Sequence, residues 1–368
     1  RYYKPKSIGI IVGIVISIFL IGKQLGTLRF LSTLMSGLIV NSNSDANDIW
    51  IIDNISANVN AVTRIDARIA TQVKSIEGVE DSYGIVVANS TVTFEGSKSA
   101  PINLVGSDGP VFIAGPKSSK ILAGNVNDLF QGNAVSAEFF NSQNFGVELK
   151  VNQPIEINAK AAVIKLLTKD AQSFGGYYMF TNMNNARFYG GFPNDKLSVV
   201  VVKVKQDADV EEVIKRINGT FYGVKAWKAE KLSKSTVAEI LTTSNMGVSF
   251  GSLILFAMVS GFFIIGLTLY SSALDRLVDY GTLKAIGATN GFVSRLIFTQ
   301  AFLFALIGLA IACLLLVLFK NGVASAGLVI ELDLPLILVL LGISLFMSMG
   351  GSLFAVLKIR KLEPASIF

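Results

Sequence analysis

Catalysis needs groups that titrate, attack or hold a metal near neutral pH, and this sequence is poor in them. It has no histidine and one cysteine, which excludes histidine-based triads, histidine metal ligands, a histidine pH switch and any disulfide within the chain. Cys313 lies in an apolar run, the setting of a small buried hydrophobe. The carboxylate pairs Glu80-Asp81 and Glu211-Glu212 fall at a turn and at a helix start, where solvation and capping account for them. Gly115-Pro116-Lys117-Ser118 has the residue types of a phosphate loop without its spacing, and no Gly-x-Ser-x-Gly elbow occurs. No catalytic residue, no metal ligand set and no directly bound cofactor is assigned, and an enzyme is not expected. What remains is a set of charges suited to recognition: Asp275, Arg276, Asp279 and Lys284, spaced along one short polar stretch between two long apolar runs. Such groups can form ion pairs and hydrogen bonds with another protein.

That stretch runs Asp275-Arg276-Leu277-Val278-Asp279-Tyr280-Gly281-Thr282-Leu283-Lys284-Ala285-Ile286-Gly287-Ala288-Thr289. No charge occurs from Leu241 to Leu274 before it, or from Leu296 to Phe319 after it. Leu274, Leu277 and Val278 recur at i, i+3, i+4, and Leu283 with Ile286 extend an apolar face. The charged residues occupy the other positions, and Gly287 follows the last periodic residue, where a C-cap glycine sits. The spacing predicts an amphipathic helix over 275–289, lying at the membrane surface with Asp279 and Lys284 exposed to a soluble partner. The plainer alternative is a solvated loop that only follows the charge rule for membrane topology.

Hydrophobic residues make up 51% of the chain and charged residues 16%, a membrane-protein composition. Of 32 basic and 26 acidic side chains, residues 41–247 hold 20 and 21, so the net charge of +6 arises from the remainder. Basic residues therefore flank the apolar spans and are not gathered on a soluble domain, and no nucleic-acid partner is expected. Four spans are predicted. The first is uncharged from Ser7 to Gly22 and continues with helical spacing through Leu28, Leu31, Leu34 and Leu38; the others cover 248–270, 297–319 and 334–357. A signal peptide competes for the first, since Lys4 and Lys6 precede a short apolar core, but no clean cleavage site follows. The chain begins at Arg1, so further residues are expected before it in the natural protein. Arg1, Lys4 and Lys6, then Arg276, Lys284 and Arg295, then Lys358, Arg360 and Lys361 place both termini and the 275–289 stretch in the cytoplasm. Residues 41–247 and the short 320–333 loop are then outside. Gly9, Gly13 and Ser17 on span one, Gly247 and Gly251 at the start of span two, and Ser348, Gly350, Gly351 and Ser352 on span four are expected to let helices approach closely.

The outer segment is expected to be α+β. Ile49–Ile52 predicts a strand, Val62, Ile65, Ile69, Val73 and Ile76 a helix stopped by Gly78, and Val79–Ala88 a second strand. The order recurs: a buried strand over Leu197–Val204, a helix with Asp209 as N-cap and Glu212 completing a capping box, and a strand over Gly223–Trp227. The two β-α-β units are expected to form one ferredoxin-like sheet. They bracket an insert of about 89–196, rich in Gly, Asn and Ser, which is expected to be a second, mostly β lobe. Residues 28–40 and 232–247 are predicted as stalk helices extending spans one and two, the latter with Val237, Ile240 and Leu241 on one side.

This layout resembles the MacB/FtsX-like permeases of ABC transporters. The most specific part is Asp279-Tyr280-Gly281-Thr282-Leu283-Lys284-Ala285-Ile286-Gly287-Ala288, similar to that family's acidic-x-Gly-x-Leu-Lys-Ala-[Ile/Met]-Gly-Ala stretch. Arg360-Lys361-Leu362-Glu363-Pro364-Ala365 is similar to its basic-x-x-Pro-Ala ending, and 247–287 looks like the DevC branch, whose ATPase is a separate chain. The resemblance implies an α-helical membrane protein with four spans (1–40 with a stalk, then 248–368) and an outer core domain over 41–231, porter-like with a sabre-like insert. It implies mechanotransmission in a bacterial inner membrane. A cytoplasmic ABC ATPase binds ATP and magnesium and acts on 275–287, a second permease copy completes a dimer, and a periplasmic membrane-fusion adaptor and an outer-membrane channel carry substrate away. Membrane lipid is the remaining partner. Lipoprotein-releasing permeases of the LolC/LolE type and FtsX-type scaffolds that control cell-wall hydrolases share the topology and are the alternatives.

Overall fold

The computed structural model describes residues 4–96, 98–109 and 111–360; of the basic C-terminal motif, 361–365 lie outside the described residues. The chain divides into two units, Leu31–Met246 and the remainder on either side of it. Helix α1 (Lys4–Met35) contributes to both and is followed by α2 (Gly37–Val40).

In the Leu31–Met246 unit, β1 (Ile49–Asp53) is buried throughout. The predicted helix over 62–76 is corrected: Ile65–Asp66 form a short strand, β2, and helix α3 covers only Arg68–Gln72, with a 3-10 turn at Val73–Ser75. Asp66 is the reason. Its carboxylate accepts from the Arg68 amide at 2.9 Å and the Arg68 guanidinium at 2.7 Å, so it initiates the helix and is not inside it. The chain continues through β3 (Val79–Phe94), β4 (Lys98–Ser107), β5 (Ile121–Gly124), β6 (Ala134–Glu138), α4 (Ser142–Phe145), β7 (Gln153–Ile157) and β8 (Lys160–Thr168). Then come β9 (Tyr177–Thr181), α5 (Met183–Gly190), β10 (Lys196–Leu197), β11 (Val199–Val204), α6 (Val210–Thr220), β12 (Val224–Lys228) and α7 (Ala229–Thr243).

Strands β12, β1, β11 and β3 lie side by side in that order, each pair antiparallel, which is the ferredoxin-like order expected from two β-α-β units. Alternation assigns each side chain a face. Ile49, Ile51, Val200 and Val202 pack with Val73, Val213 and Ile217, whereas Trp50, Ile52, Val199 and Val201 pack with Leu38, Val59 and Leu232. Both faces are covered, so the consecutive valines of β11 are a doubly buried strand. Asp209 caps α6, accepting from the Glu211 amide at 3.0 Å, while Glu212 turns to Arg216 at 3.5 Å instead of closing a capping box.

The insert is mostly β, as expected, and its strands join those of the first sheet. Strand β3 is 16 residues long; Val79–Ile85 pair with β11 and Ile85–Phe94 with β4, so the insert continues the same sheet. A circuit follows: β3–β4–β9 on one side, β3–β7–β8–β6 on the other. Side chains join its two ends. Ser136 Oγ accepts from the Phe180 amide at 2.8 Å, and Thr181 Oγ1 and Asn185 Nδ2 donate to the Ala134 carbonyl at 2.7 and 3.1 Å. Helix α7 buries Ala229, Leu232, Thr236 and Ile240, a stripe one position away from the predicted one, because Thr236 Oγ1 must meet the Val59 amide (3.0 Å). The stalk predicted over 232–247 is broken after Thr243: Asn245 has φ +56°, and a new helix starts at Met246.

The other unit contains four membrane-spanning helices: the α1 segment, α8 (Met246–Asp275), α10 (Asn290–Ala324) and α11 (Leu334–Arg360), with α9 (Leu277–Ala285) between α8 and α10. They outrun the predicted spans because the bilayer core needs only about 20 helical residues, and these continue beyond it. Gly9, Gly13 and Ser17 face α8: a Cβ at Gly13 would lie 2.9 Å from Ile264, and one at Gly261 2.5 Å from Ser17 Oγ. Farther along α1, a Cβ at Gly22 would meet Leu316 at 2.6 Å, and one at Gly26 would meet Ile330 at 2.7 Å. Gly351 touches the Gly266 backbone, where a Cβ would fall 3.0 Å from its nitrogen. Gly251 departs from expectation: within one chain it is exposed with nothing within 4 Å, since α1 meets α8 only farther along, and Gly247 is half-buried. Arg29 pairs with Asp333 at 2.5 Å and holds its carboxyl below the usual aspartate range.

Two outcomes are expected. Asn185→Ala, which removes the bonds to Thr181 and Ala134, should lower the stability of the full chain by about 1–3 kcal/mol in denaturant titration. Because folding lowers the Asp333 pKa, the Arg29 pair is complete above the ordinary aspartate value of 3.8 and is lost as pH falls through the lower folded value. Asp333→Asn should flatten that acid limb of a thermal-stability profile and leave the limb above pH 5 unchanged.

Candidate functional site

The polar stretch folds around α9. The predicted helix over 275–289 is shorter: Asp275 is the last residue of α8, Arg276 is the N-cap residue of α9, and the helix is confined to Leu277–Ala285. Ile286 is the C-cap and Gly287 adopts φ +103°, a left-handed conformation that costs an L-residue about 1–2 kcal/mol. The Gly287 amide donates to the Lys284 carbonyl at 3.0 Å, and the Ala288 amide to the Leu283 carbonyl at 2.9 Å. This pair of bonds is a Schellman motif, and the accompanying apolar contact is present too, since Leu283 and Ala288 pack on one cluster. Thr289 then accepts from the Phe292 amide at 3.3 Å and starts α10. The chain thus reverses between two helices within four residues.

The inward face also differs from the predicted one. Tyr280 and Gly281 are buried, and Leu277, Leu283 and Lys284 half-buried, whereas Val278 is 57% and Ile286 77% exposed. Positions 277, 280, 281 and 284 have the spacing of one helical face, so the stripe was available in the sequence; the apolar Val278 and Ile286 masked it. Tyr280 packs with Ala273 of α8, Val293 and Ile297 of α10, and Ala355, Val356 and Ile359 of α11. These residues of the neighbouring helices were not anticipated. Burial pushes the Tyr280 hydroxyl pKa up, which keeps the ring neutral.

Lys284, expected to face a partner, is turned inward. Its Nζ donates to the Ile359 carbonyl at 3.0 Å, in the last turn of α11, where a cation both satisfies an orphan carbonyl and offsets the helix dipole. The outward face of α9 is Val278, Asp279, Thr282 and Ala285, continued by exposed Asp275 and Ile286 on either side. It is a small mixed surface on a helix held from behind. Among the described residues, no group of three or more potential metal-ligating side chains is assembled.

Residues 251–364 match the family model described as FtsX-like permease C-terminal, a match that includes α9 and all of α10. Among solved structures, the periplasmic region of MacB from Actinobacillus actinomycetemcomitans is 11% identical with a TM-score of 0.40, covering 54% of this chain and 94% of that one. The extracellular domain of the noncanonic ABC-type transporter YknZ from Gram-positive bacteria is 15% identical with a TM-score of 0.37, covering 49% and 99%. A domain of a permease protein from Porphyromonas gingivalis is 11% identical with a TM-score of 0.32, covering 49% and 84%. No curated protein matches.

The left-handed Gly287 gives the site its test. Gly287→Ala meets no neighbouring atom within 4 Å, so its cost is backbone strain alone, and thermal unfolding in detergent should fall by about 1–2 kcal/mol. Faster amide exchange should be confined to 283–288.

Proposed function

We propose that this chain is the non-catalytic permease subunit of an ABC exporter and that α9 is where a separate cytoplasmic ATPase engages it. The observation that carries the reading is the division of α9 into two faces. One is fixed to α10 and α11 through Tyr280 and Lys284; the other offers Val278, Asp279 and Thr282, with Asp275 and Ile286 beside them. A load applied to such a helix moves the helices it is fixed to and is not absorbed by a loop. The family-model match over 251–364 supports the same assignment.

In this reading the protein sits in the bacterial inner membrane with both termini and α9 in the cytoplasm and the Leu31–Met246 unit in the periplasm. The ATPase binds ATP and magnesium; this chain binds neither. A second copy completes the transporter, because one chain presents one α9 and ABC ATPases act in pairs. Gly251, where an added Cβ would meet nothing within 4 Å, is suited to contact that copy, with Gly247 one turn before it. A membrane-fusion adaptor, and an outer-membrane channel beyond it, receive the substrate. Two of the spans carry no charge across the membrane, α8 from Met246 to Leu274 and α10 from Leu296 to Phe319, which does not favour a polar pathway between them. Work is therefore done on substrate outside the membrane.

The test is recovery of an ABC ATPase with affinity-tagged protein from native membranes. Asp279→Arg and Ile286→Glu alter the outward face without touching the buried one and should each reduce recovery about tenfold or more, the scale of losing a well-placed contact. Equal recovery from both variants at normal membrane levels would remove α9 from this role.

A further inference from the structure

Helices α1 and α8 touch over part of their length and then diverge. An added Cβ at Gly13 would lie 2.9 Å from Ile264, and one at Gly261 would lie 2.5 Å from Ser17 Oγ. Rising numbers on α1 meet falling numbers on α8, so the pair is antiparallel. Farther along α1 the helices part, and Leu253 and Phe256 of α8 are 55% and 68% exposed. The parting leaves a groove of about 380 Å³ between them. Ser17, Ala257 and Ser260 line it with small side chains, which give it depth, and Leu20, Leu253 and Phe256 are its large apolar residues. Every one of these residues belongs to the same unit.

The two ends of the groove differ in chemistry. Toward Gly13 it closes on Ile16 and Ile264; toward the C-terminal end of α1 it ends at Lys23 and Gln24. Lys23 is exposed and carries the one charge on α1 between Lys6 and Arg29. Its Nζ stands 5.2 Å from the centre of the Phe319 ring, a cation–π contact that holds the ammonium beside the groove. Among the described residues lining the groove, none is acidic. Size narrows the occupant further. The helix rises about 15 Å from Gly13 to Lys23, and one leaflet of a bilayer core is about 15 Å deep. Spread over that length, the volume leaves a cross-section of about 25 Å², room for one extended hydrocarbon chain and not for a helix about 10 Å across.

We infer that this groove binds one acyl chain of an anionic glycerophospholipid. The headgroup phosphate accepts hydrogen bonds from Lys23 Nζ and Gln24 Nε2, and the chain lies between α1 and α8 with its end toward Gly13. A lysine near the end of a span reaches for the headgroup region, which puts its charge where a phosphate is found. A chain seated there fills the space where the helices part and makes a negative lipid a fixed neighbour of the bundle. The site involves neither α9 nor an ATPase.

The test uses the full chain in phosphatidylcholine nanodiscs. Phe256→Trp places an indole in the groove, and the wild-type signal of Trp50 and Trp227 is subtracted. The discs receive a small fraction of lipid brominated on its acyl chains, with either a phosphatidylglycerol or a phosphatidylcholine headgroup. Brominated phosphatidylglycerol should quench with an apparent affinity about fivefold higher, the scale of one lysine acting on an anionic headgroup. Lys23→Gln should abolish that difference and Lys23→Arg should restore it. Both positions are exposed, so neither change disturbs packing. Ile307→Trp, at an exposed position in the middle of α10, should show no headgroup preference. Equal quenching by the two lipids in Phe256→Trp, or a preference that survives Lys23→Gln, overturns the inference. Weak quenching by both lipids, the sign of a groove filled by a second copy, overturns it as well. None of these outcomes alters ATPase recovery through α9, so the two readings fail separately.

Discussion

A helix that ends leaves its last carbonyls without partners, and away from water each must be met by something else. The architecture of this chain depends on how that constraint is met at three ends. Helix α1 spends its final carbonyls on Phe174 and Asn60, which ties it to the insert. Helix α9 turns back through Gly287 and meets its own, which sets the reversal into α10. Helix α11 gives the Ile359 carbonyl to Lys284, which fixes α9 against it. Each solution recruits a different segment, so satisfying a local backbone need also determines which elements move together.

Close packing reinforces these ties where the helices run side by side. Lipid supplies little force to press apolar helices together, so small residues that bring backbones close are needed. Gly13 and Ser17 do this for α1 against α8, Gly22 for α1 against α10, and Gly351 for α11 against α8. The apolar stripe Ile10, Ile14, Ile18 and Ile21 lies fully buried on α1 between them. An interior packed this way deforms little, and a push on one helix is shared with its neighbours.

Local chemistry was legible in the sequence; pairings across long separations were not. The C-cap at Gly287 and the N-cap at Asp209 follow from residue type and spacing alone, and both are in place. The ferredoxin-like sheet was legible as well, because two β-α-β units with alternating apolar strands have few ways to bury both faces. The inward turn of Lys284 was not, since its acceptor is 75 residues away and no local pattern announces it. Val278 and Ile286 misled for a related reason: an apolar residue on a short surface helix satisfies the periodicity of either face. The β character of the insert was legible, but its continuity with the first sheet was not, because β3 pairs with β11 at one end and β4 at the other, a fact set by partners and not by β3 itself.

The Lys284 miss bears on how elements are positioned. There a polar group is committed to a distant backbone atom, Lys284 to Ile359, as Asn60 is to Met35 and Ser136 to Phe180. A bond of this kind is worth only about 1 kcal/mol net, so stability alone is a weak reason for placing a charged or amide side chain there. Its larger effect is geometric, because a donor of fixed reach sets one relative position of two elements and leaves a buried carbonyl unsatisfied in any other. Apolar contacts tolerate sliding by fractions of a turn; these do not. The residues that fix α9 to α11 and α1 to the insert therefore set position more than they add stability.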